Sequence, residues 1–509
     1  MPGKVTYKFR QNNARQFYES AGEASPTNLY VFLARTNAWT TDSSPPTPVD
    51  DVKQTNYDVW RNMIAAKKVS TSDLTFAVPR TNWANNTFYT KYTDSNGTLF
   101  SNNFFVVTDT YNVYKCIDNN GNANSTVKPT TTTSSTVLLS DGYKWKYMYS
   151  IGAADALKFL TTNYMPVKTL TANDGSSQWT VQQAAANGSI ETVVVTAGGA
   201  SYFTHSGSFQ QVSNSSVLRL AAGASGNDDF YVGSTLYIPS GLGSGQIREI
   251  VDYDGTTKDA TVNNGFTVTP NTSSTYFAGP KVTIGGDGRN ALAYANTTSG
   301  AINKVILINN GNNYSYAPVS FSANLGAGAT ADAYVSPQGG HGADPVEELG
   351  GYNVMLNVKM TGTESNTFIV NNDFRVIGIL ADPVLANGSI ANSSVYDMTT
   401  KLTLTSISGT YQYDEVINGG TSGHTARVVA FANTNASGTT GVLSLTGVSG
   451  TFATSETITG NTSSVTATVS SVDAADLRPY AGDVLFIENR PPVSRASDQT
   501  EDIKLVIKY

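Results

Sequence analysis

Apolar and polar positions alternate with a period of two near the end of this chain. Ile503, Leu505 and Ile507 alternate with Lys504, Val506 and Lys508, which is the pattern of a strand with one buried face. The preceding segment, 483–488, alternates in the same way and runs into Pro491-Pro492. Proline cannot donate to a sheet ladder, so the pair predicts the end of that strand. The two strands together predict a terminal hairpin, in which Arg490 pairs with Glu488, Asp498 or Glu501.

Further strands are predicted at 113–117, 141–151 and 372–380 from the same pattern. In the second of these, Tyr143, Trp145 and Tyr147 alternate with Lys144 and Lys146. Such an aromatic and basic strand could stack nucleic-acid bases. A strand with one solvated, lysine-bearing face explains the same letters without a ligand, and we favour it.

Short helices are predicted in the first seventy residues. The segment 4–10 alternates as a strand, Asn13 is placed to cap a helix over 14–21, and Gly22 would end that helix. A second helix is predicted over 58–69. Trp60, Met63 and Ile64 would fall on one of its faces, turned toward the core.

A repeat occupies part of the C-terminal third. The pattern of 404–428 recurs over 445–469, which predicts two small units of three or four strands each that bury one face against each other. A looser echo links 190–202 with 302–314. Between those segments, Asp254-Gly255 predicts a two-residue hairpin turn.

Composition narrows the class of protein. The chain has 509 residues, of which 39% are hydrophobic and 14% charged, with 45 glycines and 27 tyrosines; this predicts many short strands rather than a helical bundle. The net charge of −7 carries no concentrated basic stripe, so we do not expect nucleic acid as a partner. Cys116 is the single cysteine, which excludes an intrachain disulfide framework.

The sequence shows neither a signal-peptide pattern near its start nor an apolar run long enough to span a membrane. We therefore expect synthesis in the cytoplasm and no membrane insertion.

Charge density predicts the domain layout. Segment 184–336 carries 15 charged residues in 153 positions and segment 400–475 carries 6 in 76, whereas the remaining 280 positions carry 50 of the 71. The predicted fold is mainly β: a discontinuous β-sandwich host domain with a few short helices (1–183, 337–399 and 476–509), interrupted by two inserted all-β modules (184–336 and 400–475, the latter built from the two 41-residue repeats).

One segment gathers residues that could hold a cation. His341, Asp344, Glu347 and Glu348 lie within eight positions. The same letters describe a short capped helix, with Asp344 as N-cap, Pro345 at the first helical position, Glu347 reaching back and Gly350 as the stop. We favour the helix and assign no metal.

Other apparent motifs predict turns. Gly241, Gly243 and Gly245 have part of a phosphate-loop spacing, but no helix is predicted after them. Asp252 and Asp254 begin like a calcium loop, yet Lys258 stands at a ligand position.

Residues capable of enzymatic chemistry do not form a convincing set. Ser422 precedes His424 by two positions, but the second repeat copy replaces the histidine with Val465. A polysaccharide depolymerase would need paired carboxylates across a groove, and the predicted modules hold few. We therefore predict no catalytic residue and no cofactor.

Several motifs resemble those of a known family, the gene product eight class of baseplate wedge subunits of T-even-like contractile-tailed bacteriophages. They are a D-x-W helix, a P-R-x-x-W turn, a D-G-Y-x-W strand, an F-R strand, an E-N-R-P-P run and a D-Q-T-E run. The residues that carry them are Asp58, Trp60, Pro79, Arg80, Trp83, Asp141, Gly142, Trp145, Phe374, Arg375, Glu488, Asn489, Arg490, Pro491, Pro492, Asp498, Gln499, Thr500 and Glu501. The resemblance covers about 1–170, 337–397 and 476–509, and it does not extend to the predicted modules.

That resemblance implies a structural role and no catalysis. It implies a virion protein of the tail baseplate, a homodimer within each wedge, and contacts with other wedge proteins and with the tail-fibre network. It also implies that interfaces rearrange when the baseplate changes state. An alternative from a different class is an adhesin that binds host glycans through the aromatic side chains of the predicted modules.

Overall fold

The computed structural model describes residues 4–49, 52–93, 95–322 and 326–509. Its helices are α1 (Tyr7–Ser20), α2 (Val52–Asn62), α3 (Ala153–Phe159), α4 (Ser177–Gln183) and α5 (Pro345–Glu348). The first strands are β1 (Leu29–Ala34), β2 (Met63–Lys68), β3 (Leu74–Pro79), β4 (Phe105–Val107), β5 (Asn112–Asn119), β6 (Val137–Leu138), β7 (Tyr143–Ser150) and β8 (Tyr164–Val167).

The middle of the chain contributes β9 (Ile190–Ala200), β10 (His205–Ser208), β11 (Gln211–Val212), β12 (Val217–Arg219), β13 (Ser234–Ser240), β14 (Ile247–Asp254), β15 (Asp259–Val262), β16 (Thr275–Ile284), β17 (Arg289–Thr298), β18 (Ala301–Asn312), β19 (Val319–Ser322) and β20 (Ala327–Val335). The remaining strands are β21 (Asn353–Thr361), β22 (Asn372–Ala381), β23 (Val395–Asp397), β24 (Thr400–Thr405), β25 (Val416–Gly419), β26 (Thr425–Asn433), β27 (Gly441–Thr446), β28 (Thr457–Gly460), β29 (Thr466–Asp473), β30 (Asp483–Arg495) and β31 (Thr500–Lys508).

Strand is the dominant secondary structure, at 43% against 10% helix, so the predicted mainly-β fold is confirmed. The described residues include no helix with the length and hydropathy of a membrane span. The chain divides into two compact units. Unit 1 comprises Met1–Val78, Ala154–Pro166 and Gly351–Tyr509, and unit 2 comprises Pro79–Ala153 and Val167–Gly350. The three-part division inferred from charge density stays a prediction.

Unit 1 contains a β-sandwich. One sheet has the strand order β23-β2-β1-β22-β30 and the other β31-β21-β3-β8. Their facing sides share one hydrophobic core, which includes Val31, Ile379, Val354 and Leu505. The outer face of the five-stranded sheet is buried as well, because α2 and the segments around β23 cover it and pack Trp60 against Tyr30 and Phe32. The five-stranded sheet is therefore packed on both faces.

A six-stranded closed barrel, β24-β27-β26-β25-β28-β29, forms the rest of unit 1. Strands β24, β25 and β26 come from the first repeat copy, and β27, β28 and β29 are their counterparts, in the same order, from the second. The strands of the two copies alternate in part around the barrel, and their apolar positions fill its interior. Each copy alone could not close this barrel.

Unit 2 contains three sheets: β4-β5-β7-β6, the pair β20-β9, and a ten-stranded sheet on the path β11-β12-β15-β14-β13-β16-β17-β18, with β10 and β19 paired to β16. The echo between 190–202 and 302–314 corresponds to β9 and β18 with the residues that follow them. Tyr202 and Tyr314, which end the two segments, are both buried in the same core.

The predicted elements of the N-terminal region were wrong in detail. Instead of a strand over 4–10, α1 begins at Tyr7, and Thr6 is the N-cap whose side chain accepts from Phe9 N. The apolar positions Ala14, Phe17, Tyr18 and Ala21, all within the helix predicted over 14–21, pack on the sandwich core with helical spacing.

The helix predicted over 58–69 ends at Asn62. Met63 and Ile64 instead begin β2, where they are fully buried. A strand lets its two faces enter the two cores on either side of the sheet, which a helix at this place could not do.

The strand before the paired prolines does not end there. β30 continues to Arg495, with Val376 opposite Asn489 and Phe374 opposite Val493, so that 490–492 bulge opposite Arg375. β30 is an edge strand, where a missing N–H costs no ladder hydrogen bond. β30 and β31 also do not form a hairpin, because β31 pairs with β21 in the other sheet.

Two further local predictions were corrected. The hairpin at Asp254-Gly255 has a four-residue loop, in which Asp254 pairs with Asp259 and Lys258 takes the positive φ. In α5, Asp344 is the N-cap as predicted, but Glu348 rather than Glu347 reaches back, accepting from Asp344 N at 3.2 Å.

Candidate interaction site in unit 1

The segment between β1 and α2 covers part of the edge strand β30. Trp39 Nε1 donates to the carbonyl oxygen of Arg490 at 2.8 Å, and Asn489 Nδ2 donates to the carbonyl oxygen of Pro46 at 2.9 Å. We call residues 35–49 the cover segment. Because 490–492 bulge away from the ladder, these bonds satisfy backbone and amide groups that the neighbouring strand does not reach.

A cleft of about 970 Å³ opens between the cover segment, α2 and the barrel. Its lining is rich in hydroxyl and amide side chains, with two arginines and one carboxylate. It is formed by Thr36, Asn37, Ala38, Trp39, Thr40, Thr41, Ser44, Pro46, Thr47, Pro48, Val49, Gln54, Thr55, Asp58, Val59, Arg61, Asn62, Val376, Val416, Thr425, Ala426, Arg427, Gly447, Ile487 and Asn489.

Arg35 lies beneath the cleft and joins the sheet to the barrel. Its side chain is 6% exposed and forms a bidentate pair with Asp414, at 3.0 Å from Nε to Oδ1 and 2.6 Å from Nη2 to Oδ2. It also pairs with Asp373 and donates to the Asp373 carbonyl oxygen. Arg375 adds a second pair to Asp373 at 3.0 Å. Two buried guanidinium groups are thus paired, as burial requires.

The end of α2 is bonded to a barrel loop. Gly447 N donates to Arg61 O at 2.7 Å, and Arg61 Nη2 donates to Gly447 O at 2.8 Å. From the barrel, Arg427 donates to the Asn37 side chain and, at 3.0 Å, to the Asp414 carbonyl oxygen. The barrel is therefore held by directional polar contacts on three sides of the cleft.

An aromatic stack stands beside the cleft. Tyr57 and Tyr480 lie 5.4 Å apart with rings 5° from parallel, and the Arg61 guanidinium lies 5.0 Å from the centre of the Tyr57 ring. Both tyrosines are more than two-fifths exposed. Tyr480 has a φ of +63°, a conformation that bulky residues rarely adopt. The backbone therefore holds this ring outward at a conformational cost.

The motif residues of unit 1 lie around this region and at one corner of the sandwich. Asp58 accepts from Gln54 on α2, Phe374 and Arg375 lie in β22, and Glu488 pairs with Arg490 at 3.3 Å. At the corner, Glu501 pairs with the buried Arg495. Asp498, Gln499 and Thr500 lie between β30 and the start of β31, where Gln499 O accepts from Gly362 N at 2.6 Å.

The remaining motif residues belong to unit 2. Pro79 ends β3 at the unit boundary, Arg80 donates to Asn82, and Trp83 Nε1 donates to Ser125 Oγ at 3.2 Å. The turn before β7 depends on Asp141, which accepts from the backbone N–H groups of Thr126 and Val127 at 2.8 and 2.9 Å.

Hydrogen bonding and close packing account for the residues Asp141, Gly142 and Trp145 at and after the turn before β7. Burial raises the pKa of the Asp141 carboxyl, but its hydrogen bonds lower that pKa more, and it lies below its usual value. Gly142 has a φ of +83°, and a Cβ there would lie 2.5 Å from the Asn120 side chain. Trp145 is buried and stacks on Tyr143 at 5.5 Å.

Unit 2 also holds a buried charged cluster. Lys115, fully buried, pairs with Glu348, which also accepts from Gly342 N at 2.7 Å. His341 Nδ1 lies 4.0 Å from Glu348 Oε2. Burial, together with Lys115, lowers the pKa of His341 well below its usual value. A lysine ammonium group thus takes the place that a cation would have in this segment. Among the described residues, no group of three or more histidine, cysteine, aspartate or glutamate side chains could hold a metal ion.

The predicted solvated face of β7 was wrong. Lys146 is 4% exposed and donates to Ser134 O, and Lys144 donates to Glu191 O. Burial lowers the pKa of both ammonium groups, while Glu191 acts in the opposite direction. Lys146 can be buried, and Lys144 partly buried, because each finds a carbonyl acceptor and a nearby carboxylate.

Two segments of the chain, residues 3–130 and 425–509, match the family model described as Bacteriophage T4, Gp8. The baseplate wedge protein gp8 of Enterobacteria phage T4 is 24% identical over 216 residues, which cover 32% of this chain and 60% of that protein. Over these two segments the chain is similar to the Gp8 class of baseplate wedge proteins. This similarity supports a virion protein of the phage tail baseplate. The match spans less than two thirds of the length of the T4 relative.

Sequence reasoning missed several residues that organise the site. Trp39, Arg35 and Asp414 showed no periodic or motif signal. An arginine or aspartate next to a predicted strand end is too common to mark a buried pair. One signal could have found Asp414: the second repeat copy has Ser455 at the equivalent position, so the charge is specific to the first copy.

Proposed function

We propose that the chain is a structural wedge subunit that assembles with other wedge proteins around the baseplate hub and transmits a change of baseplate state during infection. One observation carries this proposal: the two family-matched segments are interleaved in unit 1. β1 and β2 from the first segment and β30 from the second belong to the same sheet, and β3 and β31 belong to the other. The two matched segments therefore meet in the sandwich of unit 1, although they also include 79–130 of unit 2 and barrel strands β26 to β29.

The buried arginine pairs support a mechanical role. Each of three buried arginines cross-links segments distant in sequence: Arg35 through Asp414, Arg375 through the Thr36 carbonyl oxygen and Arg495 through the Gly362 carbonyl oxygen. Such bonds are directional, and a sheet packed on both faces resists shear. A subunit of this kind moves as a body and transmits displacement at its interfaces.

Removing the gene from the phage tests this role. We expect tails that lack a complete baseplate or do not form, as seen by electron microscopy, with rescue by the wild-type gene. Normal, contractile tails that fail only to adsorb to host cells would contradict the proposal and favour the glycan-binding adhesin.

We further propose a homodimer without enzymatic activity. Light scattering of the purified chain should give twice the monomer mass, and incubation with host surface polysaccharide should release no reducing ends. A monomer at working concentrations would contradict the dimer, and sustained depolymerisation would contradict the structural assignment.

The cleft and the Tyr57–Tyr480 stack are proposed to contact a neighbouring wedge protein. Tyrosine and arginine are enriched at the centres of protein interfaces, and here both flank a cleft. Tyr480→Ala should weaken co-purification with the other wedge proteins and leave dimerisation and melting unchanged. Leu157→Ala on α3, where the side chain is 74% exposed, serves as the control. Equal binding by both variants would exclude this surface.

A further inference from the structure

The barrel presents two pseudo-equivalent faces, one from each repeat copy, and the rest of unit 1 contacts one of them. The repeat relates each position of the first copy to one position of the second, so every contact of the barrel with the sandwich has a counterpart position on the other face. Three barrel residues make these contacts: Asp414 with Arg35, Arg427 with Asn37, and Gly447 with Arg61. The counterpart of Gly447 in the other copy is Ser406.

The counterpart positions have the same backbone but different chemistry. Asp414 and its counterpart Ser455 have φ values of +65° and +66°, and both N–H groups donate to the equivalent strand carbonyl, of Val428 and Val469 respectively. Arg427 corresponds to Thr468. The face of the second copy therefore lacks both charges.

Residues on the docked face are less exposed to solvent than their counterparts on the free face. Val416, Thr425 and Gly447 on the docked face are partly buried, whereas their counterparts Thr457, Thr466 and Ser406 are exposed. The barrel fold tolerates either chemistry, because both occur within one molecule. What differs is whether the sandwich covers the face.

We propose that Asp414 and Arg427 select the barrel face that docks on the sandwich, and that the Arg35–Asp414 pair is a latch that can open without unfolding either part. Arg35 keeps its pair with Asp373 when Asp414 is lost, so its buried charge stays compensated. The barrel joins the rest of the chain at only two points, Thr399–Thr400 and just after Asp473. Opening the latch would leave the Arg427–Asn37 and Arg61–Gly447 bonds to hold the docked state, and when these break as well the barrel can pivot about its two chain connections.

Replacing each docking residue by its own counterpart tests this. Asp414→Ser and Arg427→Thr introduce residues that the barrel already accommodates at Ser455 and Thr468. Spin labels on cysteines that replace the exposed Leu157 and Ala436 report the distance between sandwich and barrel. The native Cys116 is fully buried, so the label attaches only to the two introduced cysteines. Pulsed dipolar spectroscopy should give a narrow distribution for the parent protein and a broader one, with a second population, for each variant.

Ser455→Asp is the matched control, since it places the same charge on the free face, and it should leave the distribution narrow. Circular dichroism melting should match the parent in all variants. Hydrogen exchange within the barrel strands of 400–475 should also match, whereas the Gly447 N–H, which donates to Arg61 O in the docked state, should exchange faster in Asp414→Ser and Arg427→Thr. A distribution unchanged in Asp414→Ser and Arg427→Thr would overturn the latch, as would equal broadening by Ser455→Asp. If hydrogen exchange in Asp414→Ser increased throughout 400–475, the Arg35–Asp414 pair would be needed for the barrel to fold and not only for it to dock. The inference does not depend on the proposed baseplate function.

Discussion

Glu415 and Glu456 each hold a turn of the other's repeat copy. Glu456 accepts from the N–H groups of Thr421 and Ser422 at 3.1 and 2.9 Å, and Glu415 accepts from those of Thr462 and Ser463 at 3.2 and 3.0 Å. Both residues are less than 5% exposed. The two copies are thus joined by reciprocal carboxylate contacts as well as by the barrel ladder.

Glu456→Gln should destabilise the barrel by about 1–3 kcal/mol, because an amide donor would then face backbone donors in a buried turn. Glu415→Gln should have a similar effect. Hydrogen exchange of peptides from 400–475 under increasing denaturant measures the change. Glu488→Gln, whose carboxylate is partly exposed and pairs with Arg490, is the control and should leave the barrel unchanged.

Acid should open the barrel. Burial raises the pKa of Glu415 and Glu456, but hydrogen bonds to their carboxylates lower it more, and both lie below their usual value of 4.5. The stabilisation they provide is fully present above that unfolded-state value and is lost as the pH falls through the lower, folded-state pKa. Exchange in 400–475 should therefore increase below about pH 4.5, and the Glu415→Gln, Glu456→Gln double variant should show a smaller pH dependence.

Loss of one partner from the buried Lys115–Glu348 pair should be costly. Glu348→Gln should destabilise unit 2 by about 3–5 kcal/mol, since it leaves a buried ammonium group without its carboxylate. Lys115→Met combined with Glu348→Leu should cost much less than the sum of the single changes. Thermal unfolding followed by circular dichroism compares them, and additive losses would contradict the pairing.

Gly378 is required by close packing. A Cβ at this position would lie 2.1 Å from Phe32 Cζ and 2.5 Å from Phe486 O, inside the five-stranded sheet. Gly378→Ala should cost about 1–3 kcal/mol through overpacking. The control is Gly152→Ala, since nothing lies within 4 Å of a Cβ at Gly152. Equal melting temperatures for the two variants would argue against this packing.

Trp39→Phe should loosen the cover segment. The change keeps an aromatic ring but removes the donor to Arg490 O, a loss of about 0.5–1.5 kcal/mol. Hydrogen exchange should increase over 35–49 and 484–492 and stay unchanged over 353–361. Unchanged exchange in the first two ranges would show that the cover segment is held by packing alone.

The elements that could be predicted are those whose pattern is local and repeated. The repeat predicted three or four strands for each copy because each apolar offset occurs twice, and each copy contributes three strands; it did not predict that the two copies share one closed barrel. The alternation of Ile503 and Leu505 located β31 because one face of that strand is buried and the other is not. In both cases the spacing of the apolar residues predicts which side chains are buried.

The failures occurred where distant residues decide the local structure. Lys146 can be buried because Ser134 O and Glu191 lie nearby, and neither is visible from the strand's own pattern. Pro491-Pro492 reads as a strand end unless it is known that β30 is an edge. Met63 and Ile64 have helical spacing with Trp60, but cores on both faces of the sheet favour a strand. The cleft itself could not be predicted, since its lining comes from seven stretches that are separate in the sequence.

Unit 1 draws most of its strands from Met1–Val78 and Gly351–Tyr509, whereas unit 2 lies between those two segments. During translation, every strand of unit 2 is made before β21, β22, β30 and β31. Unit 2 can therefore fold first. The early strands β1, β2 and β3 must wait, with apolar faces uncovered, at least until their partners β21 and β22 have been made. Chaperone occupancy on nascent chains should consequently concentrate on the segment that contains β1 to β3 and persist late into elongation.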